Sequence, residues 1–212
     1  MENHRCSTNG RWQNKRYEGA LVINTHGNGC VGLFFGVPDA PCISATPFDA
    51  TGFTVTHVVR PFSSDGANTV QLPATNCYFM MLYLDPAQHA DVLKDGCHTA
   101  VRLYPEGSVC LVDLGTGAEI VLHSSLRALC FFMPKDLLAE LGAPAPDLAI
   151  KLKCVRGTND PVIASLSDAV LPLFHAAPTA KPMLRHLALA ICAHVLHTYE
   201  DVSGPHSGGR LQ

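Results

Sequence analysis

The sequence predicts an α+β fold that is mainly β, an antiparallel sandwich or barrel followed by C-terminal α-helices. Between residues 20 and 133 the apolar residues fall in short runs rich in β-branched and aromatic types, separated by turn residues. After Phe132 the apolar period lengthens to that of a helix.

Residues 1–18 (MENHRCSTNGRWQNKRYE) are polar and basic with no apolar period, and are expected to form a flexible N-terminal arm. The β unit is expected over 19–133. Near its start, Gly27-Asn28-Gly29-Cys30-Val31-Gly32 fits G-x-G-x-x-G, a dinucleotide fingerprint whose mechanism needs a helix after the third glycine. Gly36, Pro38 and Pro41 forbid a long helix there, so the glycines are read as hairpin or loop chemistry joining Leu21-Val22-Ile23 to Val31-Gly32-Leu33-Phe34.

Strands are expected at FTVTHVV (53–59), CYFMMLYL (77–84), SVCLVDL (108–114), EIVLH (119–123) and RALCFFM (127–133). Turns at Ser63-Ser64-Asp65-Gly66, Lys94-Asp95-Gly96, Pro105-Glu106-Gly107 and Gly115-Thr116-Gly117 divide them. A helical unit follows over 134–202. Its first helix has Pro134 near its start and Gly142 at its end. The second opens at Asp160-Pro161 and carries Val162, Ile163, Leu166, Val170 and Leu173 on one face. The third, about 182–199, draws a stripe of Leu184, Leu187, Ala188, Ile191 and Val195. Residues 203–212 read as a linker.

Hydrophobic residues make up 47% and charged residues only 16% of the 212-residue chain, so part of its surface is expected to be covered by a partner. The net charge of −3 has the wrong sign for a chain that neutralises several phosphates unaided. No apolar stretch is long enough to cross a bilayer as a helix, so no membrane contact is expected. Nine cysteines without a C-x-x-C, and no secretory leader pattern, point to a reducing, cytoplasmic setting.

Motifs that would carry chemistry are sparse. None of the eleven histidines forms H-x-H, and there is neither G-x-S-x-G nor a Walker A loop. His194 and His197 have a permissible metal spacing but no evident third ligand, and His186 lies two turns away. Cys97-His98 beside a glycine turn reads as a loop cysteine rather than an activated thiol. The expectation is therefore a binding chain that is not an enzyme, with no catalytic residue, no metal ligand and no cofactor.

Tyr78-Phe79-Met80-Met81-Leu82-Tyr83-Leu84, Asp95-Gly96, the stretch Tyr104 to Leu114 (YPEGSVCLVDL) and Phe131-Phe132-Met133-Pro134-Lys135-Asp136-Leu137-Leu138 together resemble the N-terminal domain of AraC/XylS-type bacterial transcriptional regulators. Asn159-Asp160-Pro161-Val162 and the helix from His186 to Tyr199 look like the two helices that close that domain, and Gly208 to Gln212 like the start of its connector. The resemblance implies a cupin-like β-barrel over 19–133, a helical dimerisation subdomain over 134–202, and a small-molecule effector of unknown identity. It also implies a homodimer that reaches DNA only through a C-terminal domain not in this chain. The alternatives are a cupin-type metal-dependent enzyme and a shortened regulator acting through heterodimers.

Strand alternation places His57 on one face with Phe53 and Val55, and Tyr78, Met80 and Leu82 on one face of their own strand. If those faces point into the lumen, His57, Tyr78, Met80 and Leu82 are the effector-binding residues. The dimer contact is expected on Leu184, Leu187, Ile191 and Val195.

Overall fold

The computed structural model describes residues 30–48, 51–64, 66, 68–142, 150–176 and 181–201. The arm at 1–18, most of the glycine-rich run and the linker at 203–212 lie outside the described residues.

In chain order the strands are β1 (Cys42–Phe48), β2 (Thr51–Arg60), β3 (Thr69–Leu72), β4 (Cys77–Tyr83), β5 (Ala87–Asp91), β6 (Arg102–Tyr104), β7 (Ser108–Asp113), β8 (Ala118–Leu122) and β9 (Leu126–Pro134). Helix α1 (Lys135–Gly142), strand β10 (Val155–Asn159), helix α2 (Pro161–Val170) and helix α3 (Lys181–Tyr199) follow. The strands form a six-stranded sheet in the order β1-β2-β9-β4-β7-β10 and a four-stranded sheet in the order β3-β8-β5-β6. All of these pairings are antiparallel.

The expected mainly-β α+β class holds, but the sheets face each other as a sandwich and do not close into a barrel. β10 also returns to the edge of the large sheet from within the segment expected to be helical. Gly32 to Phe34, read as the far side of a glycine hairpin or loop, belong to a turn, and Leu21-Val22-Ile23 lies outside the described residues.

Two cores share the large sheet. Its outer face, with Phe53, Val55, Tyr78, Met80, Leu82, Leu129 and Phe131, packs under the helices. Its inner face, with Cys77, Phe79, Met81, Tyr83, Cys110, Ala128, Cys130 and Phe132, meets Val70, Leu72, Ala87, Tyr104 and Leu122 of the small sheet. Every residue of β4 is consequently buried. A strand covered on both faces has no use for polar alternation, which is why its sequence reads as one continuous apolar run.

The helices are held to the sheet through Asp160. Its Oδ1 caps α2 by accepting from Val162 N at 3.1 Å and Ile163 N at 3.0 Å. Its Oδ2 accepts from the Tyr199 hydroxyl at 2.7 Å and lies 2.9 Å from His194 Nε2, both on α3. One carboxylate thus ties the start of α2 to the end of α3.

The α3 stripe is turned inward. Leu184, Ile191 and Val195 are buried within the single chain, and Leu187 packs against the same core. The expected dimer contact on Leu184, Leu187, Ile191 and Val195 is thus occupied by the chain's own core, because α3 lies across β1 and against α1 and α2. On α2, Ile163 and Val170 are buried while Val162 is exposed, so the apolar face is narrower than its sequence suggests.

Gly32 opens a single helical turn. Val37 N donates to Gly32 O at 2.9 Å and Gly36 N to Leu33 O at 3.1 Å, a Schellman-type closure with Gly36 at φ +71°. The turn seats Phe35 in the inter-sheet core, where its ring stacks on Phe79 at 6.4 Å.

Candidate functional site

Between the sheets lies a cavity of about 750 Å³, walled by β3, β4, β5, β7, β8 and β10 and reached by Phe35 at the turn. Phe79 and Met81 on β4, Val70 and Leu72 on β3, Val112 on β7 and Ile120 on β8 make its wall largely apolar. His89 and Asp91 on β5, Cys110 on β7 and Arg156 on β10 make its polar end.

The polar end is built on a stack of rings. His89 lies parallel to Tyr104, with centroids 4.0 Å apart and planes 9° apart, and Tyr104 stacks on Tyr83 at 4.8 Å. The Tyr83 hydroxyl is 2.6 Å from His89 Nε2 and 3.3 Å from Cys110 Sγ. These contacts fix the imidazole in the plane of the stack. Among the described residues its other nitrogen, Nδ1, is buried with no hydrogen-bond partner, and its neighbour Asp91 Oδ1 is 3.8 Å away, beyond hydrogen-bond range. Asp91 is held from the opposite side, since Arg156 Nε donates to its Oδ2 at 2.8 Å. Arg156 Nη1 in turn donates to the Leu111 and Val155 carbonyls at 3.3 and 3.2 Å.

Burial dominates the electrostatics. It pushes the His89 imidazole down to about 4, against the raising effect of Asp91, so the ring is neutral near pH 7. Burial likewise holds the Tyr83 hydroxyl far above its ordinary value and raises the Cys110 thiol, leaving both protonated. The polar end therefore offers a neutral imidazole and a thiol beside one ion pair, with the Tyr83 phenol engaged to both His89 and Cys110.

The residues expected to bind the effector lie on the other face of the large sheet. Tyr78, Met80 and Leu82 belong to the helix-facing core. The Tyr78 hydroxyl accepts from Leu152 N at 2.9 Å, which anchors the segment after α1. His57 packs against Phe174 at 5.7 Å beneath the helices. A one-residue change of parity separates this set from the one that faces the cavity. His89 and Asp91 were legible in principle, because H-x-D puts both side chains on one face of a strand. The search for H-x-H passed over them.

Cys97 is exposed, and its backbone N–H donates to Asp95 Oδ1 at 2.9 Å in a turn, while His98 borders the cavity. His186 Nδ1 is 2.7 Å from the Pro182 carbonyl, and His197 is exposed. Among the described residues no group of three or more His, Cys, Asp or Glu side chains is placed to hold a metal ion. No helix among them is long and apolar enough to cross a membrane.

No protein-family model matches the sequence, and no curated protein matches it. The AraC/XylS resemblance, and with it transcriptional regulation and DNA binding, finds no support in these comparisons. Solved structures similar to parts of the chain include a protein described as ethanolamine utilization protein Q of Salmonella typhimurium LT2. It is 15% identical with a TM-score of 0.32, and the match covers 44% of this chain and 68% of that one. Ectoine synthase of P. lautus is 13% identical with a TM-score of 0.32, over 45% of this chain and 65% of that one. Oxalate decarboxylase of Bacillus subtilis is 15% identical with a TM-score of 0.30, over 44% of this chain and 25% of that one. The expectation that the chain is not an enzyme is corrected here. Two of these three neighbours are enzymes. At such TM-scores the likeness assigns no activity to this chain.

Proposed function

We propose that this chain is a cupin-like small-molecule-binding domain whose ligand occupies the cavity between the two sheets, and that it works as a sensor. The observation that carries this reading is the cavity itself, about 750 Å³ with an apolar wall and a few convergent polar groups at one end. The sensor role is supported by connectivity. Arg156, paired with Asp91 at the cavity, lies on β10, and β10 runs directly into Asp160, which caps α2 and holds α3. A ligand that moves Asp91 or Arg156 acts on the strand that positions the helices. This is the effector-sensing part of the regulator reading, and it stands without any DNA-binding claim.

Catalysis in the same cavity is the second reading, favoured by the buried neutral His89 fixed by Tyr83 and facing Asp91. A proton acceptor of that kind is a common component of acid–base chemistry.

A thermal-shift screen against small metabolites tests the binding reading, since a ligand at 100 times its Kd adds about 2.7 kcal/mol of stability. A hit should lose its effect in Val112→Trp, which fills the cavity wall. Hits unaffected by that substitution, or none across a broad panel, would remove the cavity as the site. Product analysis of each hit after incubation separates turnover from binding alone.

A further inference from the structure

We propose that Cys30 and Cys42 are a redox-active pair that closes to a disulfide when it meets a thiol oxidant such as oxidised glutathione, and that the bond fastens the turn carrying Phe35 to β1.

The sheet brings the two thiols together. Thr56 on β2 stands opposite Cys42 on β1 and opposite Cys130 on β9, so the three side chains form a row across the inner face. The bond from His57 N to the Pro41 carbonyl at 2.9 Å brackets Cys42 and Thr56 as a non-hydrogen-bonded pair, the closer of the two antiparallel spacings. The turn lies over the end of this row. Val31 N donates to Thr56 Oγ1 at 3.3 Å, and the same oxygen lies 3.9 Å from Cys30 Sγ and 3.6 Å from Cys42 Sγ. Cys30 Sγ also approaches the Ala40 carbonyl at 3.5 Å, two residues before Cys42. Both thiols are free and half-buried. Cys130 completes the row but is fully buried, so the pair within reach of an oxidant is Cys30 with Cys42.

The two thiols play unequal parts. Burial pushes the Cys42 thiol up to about 12 against the lowering effect of Thr56, and Cys30, acting through its charge and as a hydrogen-bond partner, raises it further. Attack therefore starts at Cys30, whose thiolate displaces one glutathione thiolate from oxidised glutathione and leaves a mixed disulfide. Masking Cys30 removes the charge that opposed ionisation of Cys42, while the Thr56 hydroxyl still supports the Cys42 thiolate. Cys42 then displaces the second glutathione and closes the bond. The two thiols lose two electrons and two protons, and one oxidised glutathione becomes two reduced ones. The closed loop spans residues 31–41 and so holds the whole turn, including Phe35, which stacks on Phe79 at the cavity.

The purified chain is equilibrated with mostly oxidised or mostly reduced glutathione, digested without reduction and mapped by mass spectrometry. The oxidised sample should yield a peptide joining Cys30 to Cys42 that the reduced sample lacks. The bond should raise the melting temperature by about 5 °C and slow hydrogen exchange at the Val37 and Ala40 amides, which donate within the loop. Excess reduced glutathione should reverse all three changes. Cys42→Ser should trap a glutathione adduct on Cys30 without the rise in melting temperature, and Cys30→Ser should leave Cys42 unmodified. The wild-type comparison decides the matter by itself if a serine variant fails to fold. Absence of a linked peptide, Cys30 joined to Cys130 or to any other cysteine, or an adduct forming on Cys42 first overturns the pair. A Cys30–Cys42 bond with unchanged exchange at Val37 and Ala40 overturns the fastening of the turn.

Discussion

His89 and Tyr104 stack face to face at 4.0 Å, and this contact buries an imidazole whose second nitrogen has no hydrogen-bond partner among the described residues. A protonated ring in that position would be desolvated and only partly compensated by Asp91, so the folded chain keeps His89 neutral.

Stability should accordingly depend on pH in a defined window. The His89 imidazole is depressed from 6.5 to about 4 in the folded chain, so between those values the unfolded chain binds more protons. Stability contributed by the neutral ring is present above pH 6.5 and is lost as pH falls toward 4. Its size is about 3 kcal/mol at most. Denaturation midpoints measured from pH 7 to pH 4 should drop for the wild type and drop less for His89→Phe. Equal slopes would mean that His89 is accessible to protons and ordinary in its titration.

Asp160→Ala should be among the more damaging polar substitutions. It removes the α2 cap and leaves the Tyr199 hydroxyl without its acceptor, together costing roughly 2 to 4 kcal/mol. Tyr199→Phe removes one of those bonds and should cost about 1 kcal/mol. Burial alone would raise the Asp160 carboxyl, but the Ile163 N–H, Tyr199 and His194 outweigh it and hold it below its ordinary value. Its contribution is therefore lost only as pH falls below the usual carboxylate range, a lower window than that of His89. Urea titrations of the two variants at pH 7 and pH 3 check both points.

Thiol reactivity should follow burial. Cys97 and Cys154 are exposed, while Cys77, Cys110, Cys130 and Cys192 are buried. Burial also raises the Cys77 and Cys192 thiols to about 12, so they carry almost no thiolate at neutral pH. Brief alkylation of the native chain followed by peptide mass spectrometry should label Cys97 and Cys154 well before those four. Early labelling of Cys110 would indicate that the cavity opens readily.

Elements whose chemistry is local were legible in the sequence. Asp160-Pro161 announced α2 because a cap and an N1 proline act within one turn. The five strongest strands were found because their β-branched and aromatic runs are continuous. The strands β1, β3, β5, β6 and β10 were missed: TVQL, AQHAD, RLY and VRGTN are short and are defined by their pairing more than by their composition, and CISATPF has no continuous β-branched or aromatic run. The expected effector-binding residues fall on the face opposite the cavity for a related reason. In β4 both faces are apolar, so Tyr78-Met80-Leu82 and Phe79-Met81-Tyr83 are equivalent in sequence, and only the helices packed on one side distinguish them.

Gly32→Ala tests the structural meaning of the glycine-rich run. A Cβ at Gly32 would lie 2.4 Å from Val37 O and 2.8 Å from Ala40 Cβ, so the backbone of the turn must move. The variant should lose about 1 to 3 kcal/mol and show faster hydrogen exchange at the Val37 amide. Unchanged exchange and stability would mean that the turn tolerates a side chain and does not depend on this glycine.

Ile191→Glu distinguishes an inward stripe from an outward one. Ile191 is 0% exposed in the single chain, flanked on α3 by Ala188, Cys192 and Val195, which are also fully buried. An apolar side chain of that size contributes about 1.5 to 3 kcal/mol by leaving water. The substitution forfeits that contribution and adds the cost of an unpaired carboxylate, several kcal/mol more unless the group takes up a proton. The total approaches the whole stability of an ordinary domain. The variant should therefore lose its cooperative unfolding transition and much of its helical circular dichroism at pH 7, and regain some of both at pH 4 to 5, where the carboxyl is neutral. The exposed neighbour Met183, on the same helix, sets the control: Met183→Glu should leave the transition within about 0.5 kcal/mol of wild type. A folded Ile191→Glu that differs from wild type only in sedimentation would instead place the stripe at an interface between chains.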